Sequence, residues 1–254
     1  MSPNLRALNN FIGYGDPKSP LWFIGIDEHG EFKMEDEQNE IKKLNVFYDC
    51  FENSQGKPYY ITEDKINTML LDIQVQELKQ KADNNPTYSG ILEIFNNLCN
   101  SKYTGSSIGN SEVKIFLSNL FPIGRDNTSD NSFGLFVEKY FHVSSFDEWK
   151  KNYWEERIDA FNNFIKEFHI LEEPKVFICL GVSYQTDFQD LLRKIFKKNI
   201  ELIKHSLVTI SDKHQSILCY HPSKRNRHKY FTDTYVRKIV NELKKSPIFS
   251  FSHD

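Results

Sequence analysis

Residues 21–30 read LWFIGIDEHG, an apolar run that ends in two carboxylates and a histidine. Short runs rich in Ile, Leu, Phe and Val, bounded by turn residues, are typical of strands that are buried on both faces of a parallel sheet. Three further runs share this character, at residues 113–117, 176–180 and 216–220. The sequence therefore predicts four buried strands, the first of which covers residues 21–26.

Helical patterns lie between the predicted strands. Ser145 and Glu148 form a capping box, and apolar residues then recur at helical spacing to about Phe168. Another helix is predicted at residues 187–196, and Thr232 is the N-cap of a last one. Strands that alternate with helices form a sheet that helices cover on both sides. We therefore expect an α/β fold, a three-layer α/β/α sandwich with a central, mostly parallel four-stranded sheet.

The interval at about residues 31–111, between the first two predicted strands, is polar and rich in Asn, Glu and Lys. Helical patterns occur in it near residues 38–51, 65–81 and 88–99. No sequence rich in Gly, Ser or Pro stands at either end, as a linker between two domains would. We expect a single domain, residues 1–254, that carries this interval as a polar helical insertion.

The composition excludes several classes of protein. In 254 residues, of which 39% are hydrophobic, no apolar run approaches the roughly 20 residues that span a bilayer. The first residues, MSPNLRALNN, lack the apolar stretch of a signal peptide, so we expect a cytoplasmic protein. The four cysteines contain no CxxC pair, which argues against a disulfide framework, a thiolate metal site or an iron–sulfur cluster. We expect a monomer with no cofactor and no membrane partner.

The formal net charge of −3 conceals an uneven distribution. Residues 191–254 hold 14 Lys and Arg against 5 Asp and Glu, whereas the rest of the chain holds 18 against 30. An asymmetry of this size favours a polyanion as the partner of the C-terminal quarter. A solvated, lysine-rich helix face is the alternative, and we favour that alternative for residues 193–204.

Polar side chains follow three of the four predicted strands. Asp27 and Glu28 come after the first strand, Asn119 after the second and His221 after the last. Because ligands of open parallel sheets bind outside the carboxyl ends of the strands, we expect these side chains to converge on one edge. Each has a structural alternative: Asp27 as a helix N-cap, Asn119 as a turn residue, and His221 as a buried, hydrogen-bonded core residue.

The three motifs resemble those of the uracil-DNA glycosylase superfamily. Its members carry Gly, a hydrophobic residue and an acid or Asn after the first strand. They also carry an Asn at the end of a middle strand and a His-Pro-Ser loop after the last strand. The corresponding residues here are Gly25-Ile26-Asp27, Asn119 and His221-Pro222-Ser223.

Two segments are similar to the single-strand-selective monofunctional branch, whose motifs read Asn-Leu, one residue, Pro, and His-Pro-Ser, one residue, Arg-Asn. Residues 119–122 read NLFP, and residues 221–226 read HPSKRN. Residues 13–17, GYGDP, followed by LWFIG at residues 21–25, look like a set of bacterial members of the superfamily. The resemblance covers the strand ends and their order, and it does not cover the insertion.

The resemblance implies a DNA glycosylase, which flips the target base out of the stack and breaks its glycosidic bond. Asp27, with Glu28 beside it, would stabilise the oxocarbenium-like sugar and orient the attacking water. His221 would donate a hydrogen bond to the departing base anion. Asn119 would read the edge of the base, because its amide offers an acceptor and donors in one plane.

The resemblance also implies how base and DNA are held. Gly25 and Ile26 of the first motif would line the base pocket. An aromatic ring would stack on the base, and Phe47 and Tyr88 are candidates, although each is also typical of a core. Arg225 would enter the gap that the flipped base leaves. The remaining side chains expected to bind DNA, mainly at phosphates, are Ser223, Lys224, Asn226, Arg227 and Lys229.

The first motif departs from the family, which usually has Pro or a small residue where this chain has Glu28 and then His29. With the long insertion, this departure points to a bulky or modified pyrimidine as substrate, for instance in phage DNA. Two other functions stay open. In a metal-dependent nuclease or phosphoesterase, Asp27, Glu28 and His29 would hold Mg²⁺ or Mn²⁺. In a non-catalytic nucleic-acid-binding module, the fold would be kept without the chemistry.

Overall fold

The computed structural model describes residues 2–27, 34–62, 85–107, 112–124, 132–222 and 229–249. Within them the chain forms seven strands and seven α-helices. The strands are β1 Phe11–Gly15, β2 Leu21–Asp27, β3 Tyr59–Ile61, β4 Ile115–Phe121, β5 Lys175–Leu180, β6 Leu207–Thr209 and β7 His214–Cys219. The helices are α1 Pro3–Asn10, α2 Glu37–Asn53, α3 Pro86–Cys99, α4 Leu135–Phe141, α5 Phe146–Glu167, α6 Gln185–Phe196 and α7 Asp233–Leu243. None of these described helices combines the length and the apolarity needed to cross a membrane.

The strands form one sheet in the order β3-β1-β4-β2-β5-β7-β6. Strand β5 pairs in parallel with β2 and with β7, while β6 pairs antiparallel with β7. The four predicted strands are the adjacent strands β4, β2, β5 and β7, and the α/β fold class is confirmed. The predicted number of strands is too low, because β1, β3 and β6 extend the sheet to seven strands and β6 makes it mixed.

The helix predictions that rest on N-caps are confirmed. Helix α5 begins after Ser145, whose hydroxyl accepts the N–H of Glu148 at 3.2 Å. Helix α7 begins after Thr232, whose hydroxyl accepts the N–H of Tyr235 at 3.3 Å. In the interval of residues 31–111, α2 and α3 match two of the three patterns, and the pattern at 65–81 lies outside the described residues. A single domain with an insertion stays a prediction.

The chain divides into two compact units. Unit 1 comprises Met1–Gly13, Ile26–Tyr60 and Asn119–His169. Within it, Phe121 at the end of β4 packs edge-on against Phe146 and Trp149, with ring centroids 4.6 and 5.6 Å away. The aromatic stripe that the sequence predicts on α5 is therefore part of the core of this unit.

Unit 2 comprises Tyr14–Gly25, Ile61–Ser118 and Ile170–Asp254. Its parallel pairs align Ile24 with Cys179, and Cys179 with Leu218. The buried side chains Ile91 of α3 and Val236 of α7 pack against this part of the sheet. Because the three strands run in one direction in this register, the carboxyl ends of β5 and β7 share one edge of unit 2 with Gly25, the last residue of β2 in this unit.

Candidate active site

The first motif lies at the end of β2, where Gly25 and Ile26 are strand residues. Ile26 is buried, with 5% of its surface exposed. Asp27 is the last residue of the strand. The Asp27 side chain and the whole of Glu28 lie outside the described part of the structure. The apolar run at residues 21–26 is therefore a strand, as the sequence predicts, and the strand ends at Asp27.

Asn119 lies inside β4, not beyond it. It is half-buried and stands between Ser118 and Leu120, which are both buried. The prediction that the strand ends at Leu117 is wrong, and so is the alternative of Asn119 as a turn residue. Strands β4 and β2 are neighbours in the sheet, and both Asn119 and Asp27 belong to unit 1.

Arg157 of α5 holds the backbone around Asn119, although only 1% of Arg157 is exposed. Its Nη2 donates to the carbonyl of Asn119 at 2.7 Å, and its Nε donates to that of Leu120 at 3.1 Å. Its Nη1 donates to the carbonyls of Asn9, at 2.8 Å, and of Phe11. Hydrogen bonds from a charged donor are the stronger kind, so one side chain fixes the end of β4 and the start of β1.

Arg157 is not among the predicted site residues, although the sequence carries a signal for its burial. Arg157 stands three residues after Trp154 and four before Phe161, so it lies on the same face of α5 as the aromatic stripe. A charged residue on an apolar helix face is buried only with partners. Its partners here are carbonyls from distant parts of the chain, which no local pattern identifies.

His221 follows β7 in unit 2, on the edge where Gly25 also stands. It is half-buried, and Pro222 after it is buried. The preceding residue, Tyr220, donates its main-chain N–H to the hydroxyl of Tyr235 at 2.8 Å. The start of the His-Pro-Ser loop is therefore tied to α7.

The two ends of that loop lie together. The rings of Tyr220 and Tyr230 stack, with centroids 4.8 Å apart and planes inclined by 23°. The ammonium of Lys229 lies 4.9 Å from the centre of the Tyr230 ring. The described residues on the two sides of 223–228 therefore lie close together. Lys229 is exposed, and the other predicted DNA-binding residues, Ser223, Lys224, Arg225, Asn226 and Arg227, lie outside the described residues.

His205 and Tyr235 pack beside Tyr220, at the start of the His-Pro-Ser loop. The hydroxyl of Tyr235 lies 3.0 Å from Nδ1 of His205, whose ring packs 4.8 Å from that of Tyr220. Burial, followed by the nearby charges of Lys238 and Lys204, lowers the pKa of His205. Burial likewise raises the pKa of Tyr235. Nδ1 of a neutral His205 can accept a hydrogen bond from the Tyr235 hydroxyl. The Tyr235 oxygen can then accept the hydrogen bond from the main-chain N–H of Tyr220.

Helix α3 packs directly on the His-Pro-Ser loop. A Cβ at Gly90 would come 2.3 Å from Cβ of Pro222 and 3.1 Å from the ring of Phe231. Only glycine allows this approach. Tyr88 lies in the first turn of α3, capped by Asn85, and packs half-buried against the core of unit 2.

The other candidate for base stacking, Phe47, lies on α2 in unit 1. It is half-buried, and its ring meets that of Phe11 edge-on at 5.0 Å. Its main-chain carbonyl accepts the hydroxyl of Tyr59 at 3.0 Å. These contacts are typical of a core residue. A stacking role for Phe47 or Tyr88 stays a prediction.

Among the described residues, neither a cluster of metal-ligating side chains nor the cavity of unit 2 coincides with the predicted site. No group of three His, Cys, Asp or Glu side chains in that part of the chain is placed to hold a metal ion. A cavity of about 630 Å³ in unit 2 is lined by Lys18, Pro20, Lys213 and Gln215 among others, and by none of the predicted site residues. We therefore do not assign the site to that cavity.

A family model described as the uracil DNA glycosylase superfamily matches residues 12–244, which is nearly the whole chain. No curated protein matches the sequence significantly. The matched region contains Asp27, Asn119 and His221.

Proposed function

The chain belongs to the uracil DNA glycosylase superfamily, and we propose that it hydrolyses the N-glycosidic bond of a flipped uracil or modified pyrimidine in DNA and leaves an abasic site. Membership of the family supports DNA binding and a glycosylase type of activity. The observation that carries the finer proposal is the family match over residues 12–244, within which the three motifs stand in the family's order.

The proposed reaction begins when the target base leaves the stack, because its glycosidic bond cannot be reached inside a duplex. As the bond breaks, positive charge develops on the sugar. The carboxylate of Asp27 stabilises that charge and orients the water that attacks the sugar carbon. Glu28 is the second carboxylate available for this task.

The base departs as an anion, so a donor aimed at its carbonyl oxygen stabilises the transition state more than the ground state. His221 is the proposed donor. Its support is the anchoring of Tyr220 by Tyr235, which limits the freedom of the backbone beside it. Asn119 is proposed to read the base, and the fixing of its carbonyl by Arg157 supports that role.

The experiment is a base-release assay with oligonucleotides that carry uracil or an oxidised or glycosylated pyrimidine, single-stranded and duplex. Samples are treated with alkali, which cleaves the strand at abasic sites. We expect cleavage only after alkali, unchanged by EDTA, since the proposed reaction is monofunctional and needs no metal. Asp27→Asn and His221→Ala should each lower the rate by about 100-fold or more.

Asp49→Asn and His142→Asn, at exposed residues, are the controls and should keep wild-type rates; asparagine suits the φ of 57° at His142. Cleavage without alkali that EDTA abolishes would identify a metal-dependent nuclease at Asp27 and Glu28 instead. Binding to DNA with no release of any base would favour a non-catalytic module. The preferred substrate within the panel tests the proposal of a bulky or modified pyrimidine and, with it, a role against phage DNA.

A further inference from the structure

The solvent-exposed side of α7 carries a group of polar and basic residues that the predicted DNA-binding loop does not include. We name it the cationic face, and its exposed members are Thr234, Arg237, Lys238 and Asn241 of α7 and Lys245, two residues beyond the end of the helix. The four residues of α7 recur at helical spacing opposite the buried stripe of Val236, Ile239, Val240 and Leu243. With Glu242 they line a shallow groove of about 510 Å³.

The acidic residues nearby neutralise this face only in part. Glu242 accepts hydrogen bonds from Lys245 and from the N–H of Leu207, and the first of these contributes most to the lowered pKa of Glu242. Among the described residues, no ion pair within 4.0 Å involves Arg237 or Lys238, and none joins Asp233 to Arg237. The charge of Lys238 also contributes to the lowered pKa of Glu242, so Glu242 offsets part of that charge. Arg237 and Lys238 nevertheless remain exposed to solvent without a close ion pair among the described residues.

The cationic face continues toward the His-Pro-Ser loop. Lys238 and Lys204 both lie close enough to His205 to disfavour its protonation. The ring of His205 packs against Tyr220, the residue before His221, and Tyr220 stacks on Tyr230 at the other end of the loop. Positive charge thus continues from the cationic face to the surroundings of His205, which packs on Tyr220, while the chain as a whole has a net charge of −3.

The length of the face suits a nucleic-acid strand. From Thr234 to Asn241 the helical rise is about 10 Å, which matches the rise of about three nucleotides along one strand at about 3.4 Å each. Phosphates are bound by Lys and Arg side chains without regard to sequence, and hydroxyl and amide groups such as those of Thr234 and Asn241 add hydrogen bonds.

We propose that the cationic face of α7 binds the phosphate backbone of the DNA strand that flanks the flipped nucleotide, in addition to the loop at residues 221–229. This inference rests on the proposed function, because it assumes that the DNA strand bound at the loop continues along α7. It assigns to α7 sequence-independent affinity and no part in breaking the bond.

The test measures how the Kd of the full chain depends on salt for two uracil-containing single strands, by fluorescence anisotropy. One strand is long, and the other reaches only the flipped nucleotide and its neighbours. For Arg237→Gln/Lys238→Gln we expect the slope of log Kd against log salt to fall by about 1.4 on the long strand, at about 0.7 per lost phosphate contact. On the short strand the slope should stay as in the wild type.

The matched control is Lys102→Gln/Lys114→Gln, which removes the same charge at two exposed lysines of unit 2. Equal slopes for the wild type and the α7 variant on the long strand would overturn the inference, as would an equal fall in the control. Base release is measured on the same samples. Wild type that binds but releases no base contradicts the proposed function, and the slopes still decide the inference.

Discussion

Arg157 donates a hydrogen bond from Nη2 to the main-chain carbonyl of Asn119, with 2.7 Å between the two atoms. The same guanidinium also binds the carbonyls of Asn9, Phe11 and Leu120. Arginine stays protonated at all ordinary pH values, so these carbonyls have a permanent donor. The backbone that carries the Asn119 carboxamide is therefore fixed by a residue of α5, 38 positions along the chain.

Replacing Arg157 by methionine should strongly destabilise the protein. Arg157→Met keeps an apolar stem but leaves buried carbonyls without their charged donor, and each such loss costs about 1 to 3 kcal/mol. We expect the free energy of unfolding to fall by at least about 3 kcal/mol in urea titrations. Arg157→Lys keeps the charge and part of the hydrogen bonding, so its loss should be smaller.

The control for this prediction is Arg6→Met, the same substitution at an exposed residue of unit 1 whose guanidinium lies 5.7 Å from the centre of the Phe51 ring. A single contact of this kind is worth about 0.5 to 1 kcal/mol at an exposed site. Equal losses in the two methionine variants would show that the hydrogen bonds of Arg157 to the main chain add nothing to stability.

The pH dependence of stability should carry a contribution from His205. Its folded-state pKa is lowered from 6.5 by burial, Lys238 and Lys204. Between 6.5 and that lower value the unfolded chain binds more protons, so the free energy of unfolding falls as pH falls through this window. Protonation also removes the acceptor for the Tyr235 hydroxyl. His205→Asn should flatten this fall in urea titrations between pH 7 and pH 5.

Asparagine is the chosen replacement because His205 has a φ of 62°, which asparagine tolerates. His142→Asn is the control, since His142 is exposed and has a φ of 57°. If His205→Asn followed the wild-type pH dependence as closely as the control variant, the lowered pKa would make no contribution to stability.

The buried amine of Lys175 should make the free energy of unfolding depend on pH in the alkaline range. Its Nζ donates to the carbonyls of Lys18 and Ser19, at 2.9 and 3.1 Å, and burial lowers its pKa from 10.5 to about 8. Between pH 8 and 10.5 the unfolded chain binds more protons, so the free energy of unfolding rises with pH. Lys175→Met should abolish this rise, whereas Lys114→Met, at an exposed residue, should keep it. A rise that persists in Lys175→Met would contradict the assignment.

The central strands were predictable from the sequence because burial on both faces demands continuous apolar runs. The strands β1, β3 and β6 were not. Strand β1 reads FIGYG, whose two glycines are typical of turns, and β3 and β6 have only three residues each. Strands β1 and β3 have sheet neighbours that are distant in sequence, whereas β6 forms a hairpin with β7, in which Thr209 pairs with Gln215.

The end of β4 was predicted too early because local sequence does not show the contacts that a strand makes. Ser118 and Asn119 interrupt the apolar pattern, so the sequence predicts that the strand ends at Leu117. The strand continues to Phe121, and Arg157 binds the carbonyls of Asn119 and Leu120 along the way. The local pattern therefore identified Asn119 as a candidate site residue. It could not identify Arg157, which lies on α5 and donates to the Asn119 carbonyl.

Gly90 should be intolerant of the smallest side chain, and the effect should reach the proposed active site. Alanine normally stabilises a helix interior by about 1 kcal/mol relative to glycine. At Gly90, however, its Cβ would lie 2.3 Å from Cβ of Pro222, next to His221. We expect Gly90→Ala to lower the free energy of unfolding by about 1 to 3 kcal/mol and to slow base release under conditions where the variant is fully folded. Asn97→Ala, on the exposed side of the same helix, should be neutral or stabilising. If both variants were stabilised alike, α3 would not restrain the His-Pro-Ser loop.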